Sequence, residues 1–391
     1  MTWPSSTRKG RPNYDALKTH IEGKGAAYSF LGHKHFWNSD FTVHQRPGYY
    51  ASVKMNSAHA YGTEKLNGEN LKGYWLPLGV TYIARRGDEY GGIFPAWDWA
   101  RLPGVTNPDE LPQFLSHVTQ QSDFVVGVSD GSYGASAMQL DIQRETSIHA
   151  HKAWFFFDDE FVALGTDIGS TSGQAVSTTI NQSLLKGSVV VDGAVMAPGQ
   201  HNLAGVSWVL HDGIGYVFPS RTNAALRTGP RSASWSTINV MMPATPVTRD
   251  VFALWLDHGV RPQHASYQYI VVPDTDAARL TQYAAKPAVT ILANTPLVQA
   301  VRHERLGTAE LIFYAPGRQL VRKGLTIAVD RPCAVLVHET GGSAKLALAS
   351  PRGPLDVHVS LELPSGTKTV TFDLRGGPAL GASHVETIGE L

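Results

Sequence analysis

The side chains able to do chemistry crowd into the stretch from His33 to Thr106. Three pieces stand out. The run Asn38-Ser39-Asp40-Phe41-Thr42-Val43-His44-Gln45-Arg46-Pro47 gathers amide, carboxylate, imidazole and guanidinium groups, a set that suits a polar binding rim or the turns of a hairpin. The run His59-Ala60-Tyr61-Gly62-Thr63-Glu64-Lys65-Leu66-Asn67-Gly68-Glu69-Asn70-Leu71-Lys72-Gly73 sets carboxylates and amides between glycines. Buried polar groups need partners, so this pattern points to a loop or strand end that faces a ligand. In Phe94-Pro95-Ala96-Trp97-Asp98-Trp99-Ala100-Arg101-Leu102-Pro103-Gly104, tryptophans flank an aspartate and an arginine follows. Indole faces suit stacking on sugar rings as well as packing in a sandwich core.

Other chemistries find less footing. The 16 histidines show no HExxH or comparable ligand spacing, and strand alternation alone accounts for His149 and His151 lying two apart. Loop carboxylates such as Asp158, Asp159 and Glu160 could hold a structural calcium ion, to which no role is assigned; no other cofactor is expected. A single cysteine, Cys333, excludes an internal disulfide and reads as a buried strand position. The 33 lysines plus arginines equal the 33 aspartates plus glutamates. No net field favours a polyanion, so neither nucleic acid nor a membrane surface is implied as a partner, and an anionic substrate must be met by local positive groups.

The elements that position these groups are strands. A chain of 391 residues is too long for one ordinary core, which predicts two domains. With 38 glycines, 23 prolines and 17% charged residues, it suits many short strands joined by tight turns, and an all-β fold is expected. One helical pattern opens the chain, residues 12–23, with Tyr14, Leu17 and Ile21 on a stripe and Gly23 as a stop. From Tyr28 the period becomes two, as in Tyr49 to Met55. Strands are predicted at, among others, Ala135 to Ile142, Lys152 to Phe157, Phe161 to Asp167, Val206 to His211, Ile214 to Phe218, Val251 to Asp257 and Ser266 to Val272. Asp274 to Lys286 reads as a short helix, and a second run of strands follows from Val289 to Leu374. The expected organisation is a lead-in over 1–27, a large antiparallel β-sandwich over 28–285 and a smaller C-terminal β-sandwich over 286–391.

Four ordered blocks carry a family resemblance: Asn38 to Pro47, Ala51 to Met55, Asn67-Gly68-Glu69-Asn70-Leu71-Lys72-Gly73-Tyr74-Trp75, and Asp98 to Thr106. They resemble the central domain of polysaccharide lyase family 8, the group of hyaluronate, chondroitin and xanthan lyases. Gly127 to Gly131, Lys152 to Glu160, Val162 to Gly165, His211 to Tyr216 and Asp257 to Gly259 add to the likeness, which covers about residues 35 to 275 and continues more weakly in the C-terminal domain. The resemblance implies a supersandwich of galactose mutarotase-like type. It also implies cleavage of a uronate-containing acidic polysaccharide, such as a glycosaminoglycan or a xanthan-like polymer, by β-elimination, in an extracellular or periplasmic setting. No secretory pattern is visible at the start of the sequence.

In that family a helical α/α toroid supplies the asparagine, histidine, tyrosine and arginines of the reaction, and the sandwich adds a glutamate and an asparagine. By motif position these resemble Glu64 and Asn67, and the sugar contacts would fall to Asn38, His44, Arg46, Trp97, Trp99 and Arg101. The toroid is not in this sequence, so the resemblance implies a helical partner that completes the cleft. Two other readings remain: a non-catalytic carbohydrate-binding protein on the same sandwich, and a self-sufficient lyase using His59 and Tyr61 as a local proton-transfer pair beside Glu64.

Overall fold

The computed structural model describes residues 31–113, 116–143, 146–341, 343–351, 356–374 and 381–389. The helix expected at 12–23 lies outside the described residues. A first sheet runs in sequence order through β1 (Gly32–Phe36), β2 (Phe41–Arg46), β3 (Tyr49–Lys54) and β4 (Val80–Ala84). The central sheet comprises β5 (Thr106–Pro108), β6 (Val125–Ser129), β7 (Gly134–Ile142), β8 (Ile148–Phe156), β9 (Phe161–Gly169), β10 (Ala175–Leu184), β11 (Val189–Val191), β12 (Ala194–Val195), β13 (Gly199–His211), β14 (Ile214–Ser234), β15 (Pro246–Val260) and β16 (Ala265–Pro273). All of its pairings are antiparallel, in the order β12-β11-β13-β14-β16-β9-β8-β7-β6.

Strand β14 makes this a double layer. Its first residues pair with β16, Ile214 opposite Pro273 and Val217 opposite Ile270. Its later residues pair with β15 instead, Ala225 opposite Trp255 and Ser234 opposite Pro246, and β15 leads on to β10 and β5. One long strand therefore belongs to two sheets that diverge around a shared core.

The layer β6 to β9 is apolar on both faces. Trp154 and Phe156 of β8 point into the core shared with the first sheet and with β10 and β15. Phe155 and Phe157 point the opposite way, onto the C-terminal strands. The unbroken run Trp154-Phe155-Phe156-Phe157 is what period-two alternation gives when each face is covered. After helix α1 (Ala277–Ala285), strands β17 (Val289–Asn294), β18 (Val298–His303), β19 (Thr308–Phe313), β22 (Cys333–Thr340), β23 (Ser343–Ala349) and β26 (His384–Ile388) form a separate antiparallel sheet, in the order β17-β18-β19-β22-β23-β26. A last sheet of β20 (Gly317–Arg322), β21 (Leu325–Val329), β24 (Asp356–Leu363) and β25 (Gly366–Asp373) closes over it with its own apolar core, in which Cys333 is buried.

Two turns lock the layers together. His44 Nε2 donates to the Phe157 carbonyl at 2.7 Å and Tyr49 Oη donates to the same oxygen at 3.2 Å. Arg46 reaches from Asp158 (Nε to Oδ1, 3.2 Å) to the Ser132 carbonyl (2.5 Å) and lies over the Tyr133 ring. On the other side of the same turn, Glu160 and His303 form a fully buried pair 3.1 Å apart. The His303 Nδ1 accepts from the Leu306 amide at 3.3 Å. Gly127 has its own part: a Cβ there would come within 2.2 Å of the buried His35 ring.

The expected calcium grouping dissolves at this turn. Asp158 is taken by Arg46 and by the Tyr133 hydroxyl, Asp159 by Arg305 and Glu160 by His303. Three successive side chains at a strand turn diverge, and among the described residues no three histidine, cysteine, aspartate or glutamate side chains converge as metal ligands would.

Trp154 is fully buried in the larger core. Trp154→Ala is expected to cost about 3–5 kcal/mol in denaturant unfolding. Lys152 is also fully buried, with one acceptor, the Gly104 carbonyl at 2.6 Å, and burial brings its pKa down to about 7. An unfolded lysine titrates near ~10.4, so between about pH 7 and pH 10 the unfolded chain holds a proton that the folded chain lacks, and stability rises with pH across that window. Lys152→Met is expected to raise stability at pH 7 and abolish that slope; an unchanged slope in unfolding series at several pH values would contradict the burial of a neutral amine.

Candidate functional site

Between β3 and β4 the chain leaves the first sheet for an excursion that belongs to no sheet. It starts at a fixed point: Met55 N donates to the Asp40 carbonyl at 2.8 Å and Ser57 Oγ to the Asp40 carboxylate at 2.7 Å. The loop is then stitched to the segment before β6, with Gly62 N on Val118 O (3.0 Å), Val118 N on Thr63 O (3.1 Å) and an antiparallel bridge between Glu64 and His117. Its far side meets the tip of the β14–β15 hairpin. Val240 N donates to Gly68 O at 3.0 Å and Leu71 N to Ile238 O at 2.8 Å.

Within this frame the loop folds on itself. Asn67 and Asn70 both take positive φ, 52° each, a conformation asparagine tolerates better than most residues. Asn70 Nδ2 donates to Thr63 Oγ1 at 2.7 Å and to the Glu64 carbonyl at 2.6 Å, closing a ring around Lys65 to Glu69. Gly68, at φ 77°, packs directly under Val240, whose Cγ2 would lie 2.5 Å from an added Cβ. The backbone of Glu64 and Asn67 is thus pinned while both residues are exposed. An exposed carboxylate and amide on a fixed backbone can accept and donate hydrogen bonds to a ligand or to a facing protein surface without losing much loop entropy.

His59 and Tyr61 do not form a pair. They lie in loop, not in a period-two strand, and turn to different partners. His59 Nε2 stands 3.7 Å from the Asp123 carboxylate, and the Tyr61 ring packs on His117 with centroids 4.5 Å apart. Tyr61 is 75% exposed, an aromatic face open beside Glu64. His117 is a residue that sequence reasoning missed, because nothing in its local pattern marks it as a neighbour of that loop.

Most of the expected sugar contacts are structural. His44 is fully buried and burial, followed by the Arg46 charge, brings its pKa down to about 3, so it stays neutral and holds the Phe157 turn. Arg46 is consumed by Asp158 and Ser132. A cavity of about 460 Å³ opens beside it, yet Asp158, Asp274 and Arg279 on its wall already pair with Arg46, Arg85 and Asp276. Trp97 and Trp99 are 3% and 7% exposed and pack edge-to-face on each other in the core, with their Nε1 groups on the Gln182 and Phe94 carbonyls. They roof the β10–β15–β14 layer instead of stacking on sugar. Arg101 spends its guanidinium on Asp109 (2.9 and 2.5 Å) and Ser177, over the Trp255 ring. Asn38 is exposed on the β1–β2 turn, whose Asp40 anchors the start of the Glu64 loop.

The segment between those tryptophans does place one charged group at the surface. Asp98 accepts from Arg227 Nη2 at 2.8 Å, with Arg231 Nη1 at 3.8 Å. Burial works against its ionisation, but the Arg227 hydrogen bond and the charges of Arg231, Arg227 and Arg101 outweigh that and hold its pKa below the usual carboxylate range. Arg227 and Arg231 come from β14, far along the chain, and sequence reasoning did not single them out; their spacing of four in a strand, which puts both on one face, was the available signal.

Asn70→Ala removes both loop-closing hydrogen bonds. We expect faster hydrogen exchange at the Lys65 and Val118 amides and a global loss of about 1–2 kcal/mol; unchanged exchange would mean that the ring around Glu64 does not depend on Asn70.

Residues 31–284 match the super-sandwich domain of polysaccharide lyase family 8, and residues 290–355 match the C-terminal β-sandwich domain of the same family. Chondroitinase-AC of Pedobacter heparinus is 40% identical over 345 residues, 86% of this chain and 49% of that protein. Xanthan lyase of a Bacillus species is 34% identical over 308 residues, 73% of this chain and 33% of that protein. A solved chondroitinase AC lyase superposes with a TM-score of 0.86 at 37% identity, covering 94% of this chain and 56% of the other. Paenibacillus xanthan lyase superposes with a TM-score of 0.88 at 25% identity, covering 96% and 40%. The chain thus spans about half or less of the length of these curated relatives. Matched in both of its sandwich regions, the chain belongs to polysaccharide lyase family 8.

Proposed function

We propose that this chain forms the β side of the cleft of a lyase that breaks uronate-containing acidic polysaccharide by β-elimination, with a helical toroid supplying the base. The observation that carries this reading is the exposure of Glu64 and Asn67 on a backbone pinned from three directions. Relatives named chondroitinase AC, xanthan lyase and hyaluronate lyase support the substrate class.

In β-elimination a base removes the proton at C5 of the uronate, the freed electron pair forms the C4–C5 double bond, and the C4–O bond breaks as the departing oxygen gains a proton. The step needs a proton shuttle and donors that neutralise the uronate carboxylate. Asn67 offers an amide donor for that carboxylate or a neighbouring hydroxyl. Glu64 offers an acceptor that would orient a cationic or phenolic group brought in by the helical side, acting as a positioning residue. Polymers of this size do not cross membranes unaided, so the reading places the protein outside the cell or in the periplasm.

A second reading, a glycan-binding protein without turnover, is favoured by one observation: His59 and Tyr61, the chain's own candidates for proton transfer, are turned toward Asp123 and His117. Ultraviolet absorbance of the unsaturated uronate separates the two. The chain alone is expected to give no rise with chondroitin, hyaluronan or xanthan, and addition of the helical half of a family 8 lyase is expected to produce one. Glu64→Ala should slow that reconstituted rate by about 100-fold or more. Turnover by the isolated chain would overturn the need for a partner; binding without turnover in both conditions would favour the second reading.

A further inference from the structure

The chain has as many acidic as basic residues, yet several cations come together on the β14–β15 ribbon beside the Glu64 loop. Arg227 and Arg231 lie on one face of β14, and the β14–β15 register sets Arg231 directly opposite Arg249. Like charges facing each other across two strands destabilise a sheet. Lys72, at the end of the loop, joins them: partial burial first, and then the Arg231 charge, lowers its pKa, with Asp98 opposing.

Against these four cations stands Asp98, whose two oxygens are already shared among Arg227 (2.8 Å), Arg231 (3.8 Å) and the Ala100 amide (3.3 Å). Arg249 Nη1 donates to the Thr248 carbonyl at 2.8 Å, and Asp98 is the carboxylate whose charge bears on Lys72. Arg231 is steadied by its Nε donating to the Ala96 carbonyl at 3.0 Å, and Arg227 by the Trp255 ring beneath it. Arg227 and Arg231 side chains nevertheless keep 27% and 33% of their surface open. Fixed, partly exposed guanidinium groups with donors to spare, kept at a cost to the sheet, are what recognition of a planar or tetrahedral oxyanion requires.

We propose that Lys72, Arg227, Arg231 and Arg249 form an anion-binding site for a carboxylate or sulfate ester of the glycan, separate from the Glu64–Asn67 pair. The inference rests on the lyase-type reading above and narrows its substrate to chains bearing acidic groups on more than one sugar. Asp98 serves as the hinge of the site, holding Arg227 and Arg231 in register without neutralising the strip.

Calorimetric titration of the 391-residue chain, alone and with the helical half of a family 8 lyase, tests this with two ligands of equal length, a chondroitin 4-sulfate and a hyaluronan oligosaccharide. Arg231→Ala and Arg249→Gln are each expected to weaken binding about tenfold at low salt, with a shallower salt dependence. Arg249→Gln, which relieves the like-charge pair, should melt no lower than the parent, so its effect on binding cannot be charged to misfolding. Loss confined to the sulfated ligand assigns a sulfate ester; loss with both assigns the uronate carboxylate. Parent binding that both variants preserve would overturn the site while leaving the lyase-type reading intact. A parent that binds neither ligand in either condition would overturn that reading, and the site with it.

Discussion

A sheet that is apolar on both faces must be covered twice, and the layer β6 to β9 imposes that demand on the whole molecule. Trp154 and Phe156 call for one cover and Phe155 and Phe157 for another, so the first sheet and the β10–β15 layer lie on one side and the C-terminal strands on the other. The turn after β8 then becomes the place where the layers meet, with His44, Tyr49 and Arg46 clasping it from the first sheet and His303 and Arg305 from the C-terminal one. Layers fixed at such a point cannot slide past one another without breaking buried polar contacts, which are costly to leave unmade.

That rigidity is what gives the Glu64 loop its character. The loop has no sheet of its own, yet its backbone is bonded to the segment before β6 and to the β14–β15 tip, both carried by the same stack. Its polar side chains face outward because the backbone groups are already satisfied. Half of a binding site can be held ready in this way at little entropic cost, whereas a free loop of the same length would have to be ordered by its ligand.

Much of the architecture was legible in the sequence because exposed faces and glycine turns interrupt its apolar runs. The strands at Gly134–Ile142, Ile148–Phe156 and Phe161–Gly169 and the helix at Ala277–Ala285 lie where periodicity put them, within a few residues. Strand β10 was not legible. Its Ser177, Thr178, Asn181 and Gln182 are all fully buried, and only distant partners such as Thr106, Asp109, Tyr216 and Asp98 make that tolerable. Composition cannot reveal a satisfied polar core. The same blindness explains Trp97, His44 and Arg46, whose types suit sugar recognition but whose partners lie many residues away. Glu64 and Asn67 were legible as loop residues, since glycines and amides so close together make a poor core strand.

In the proposed division of labour, the acidic polysaccharide lies against the Glu64 loop while a helical partner does the proton chemistry. A crystal structure of the chain joined to a family 8 helical half, with an acidic tetrasaccharide soaked in, is the decisive test. Sugar oxygens are expected within hydrogen-bond distance of the Asn67 amide, with the Glu64 carboxylate engaged by a cationic or phenolic group of the helical half. A sugar seated elsewhere, for instance in the cavity beside Arg46, with Glu64 and Asn67 facing only solvent, would contradict it.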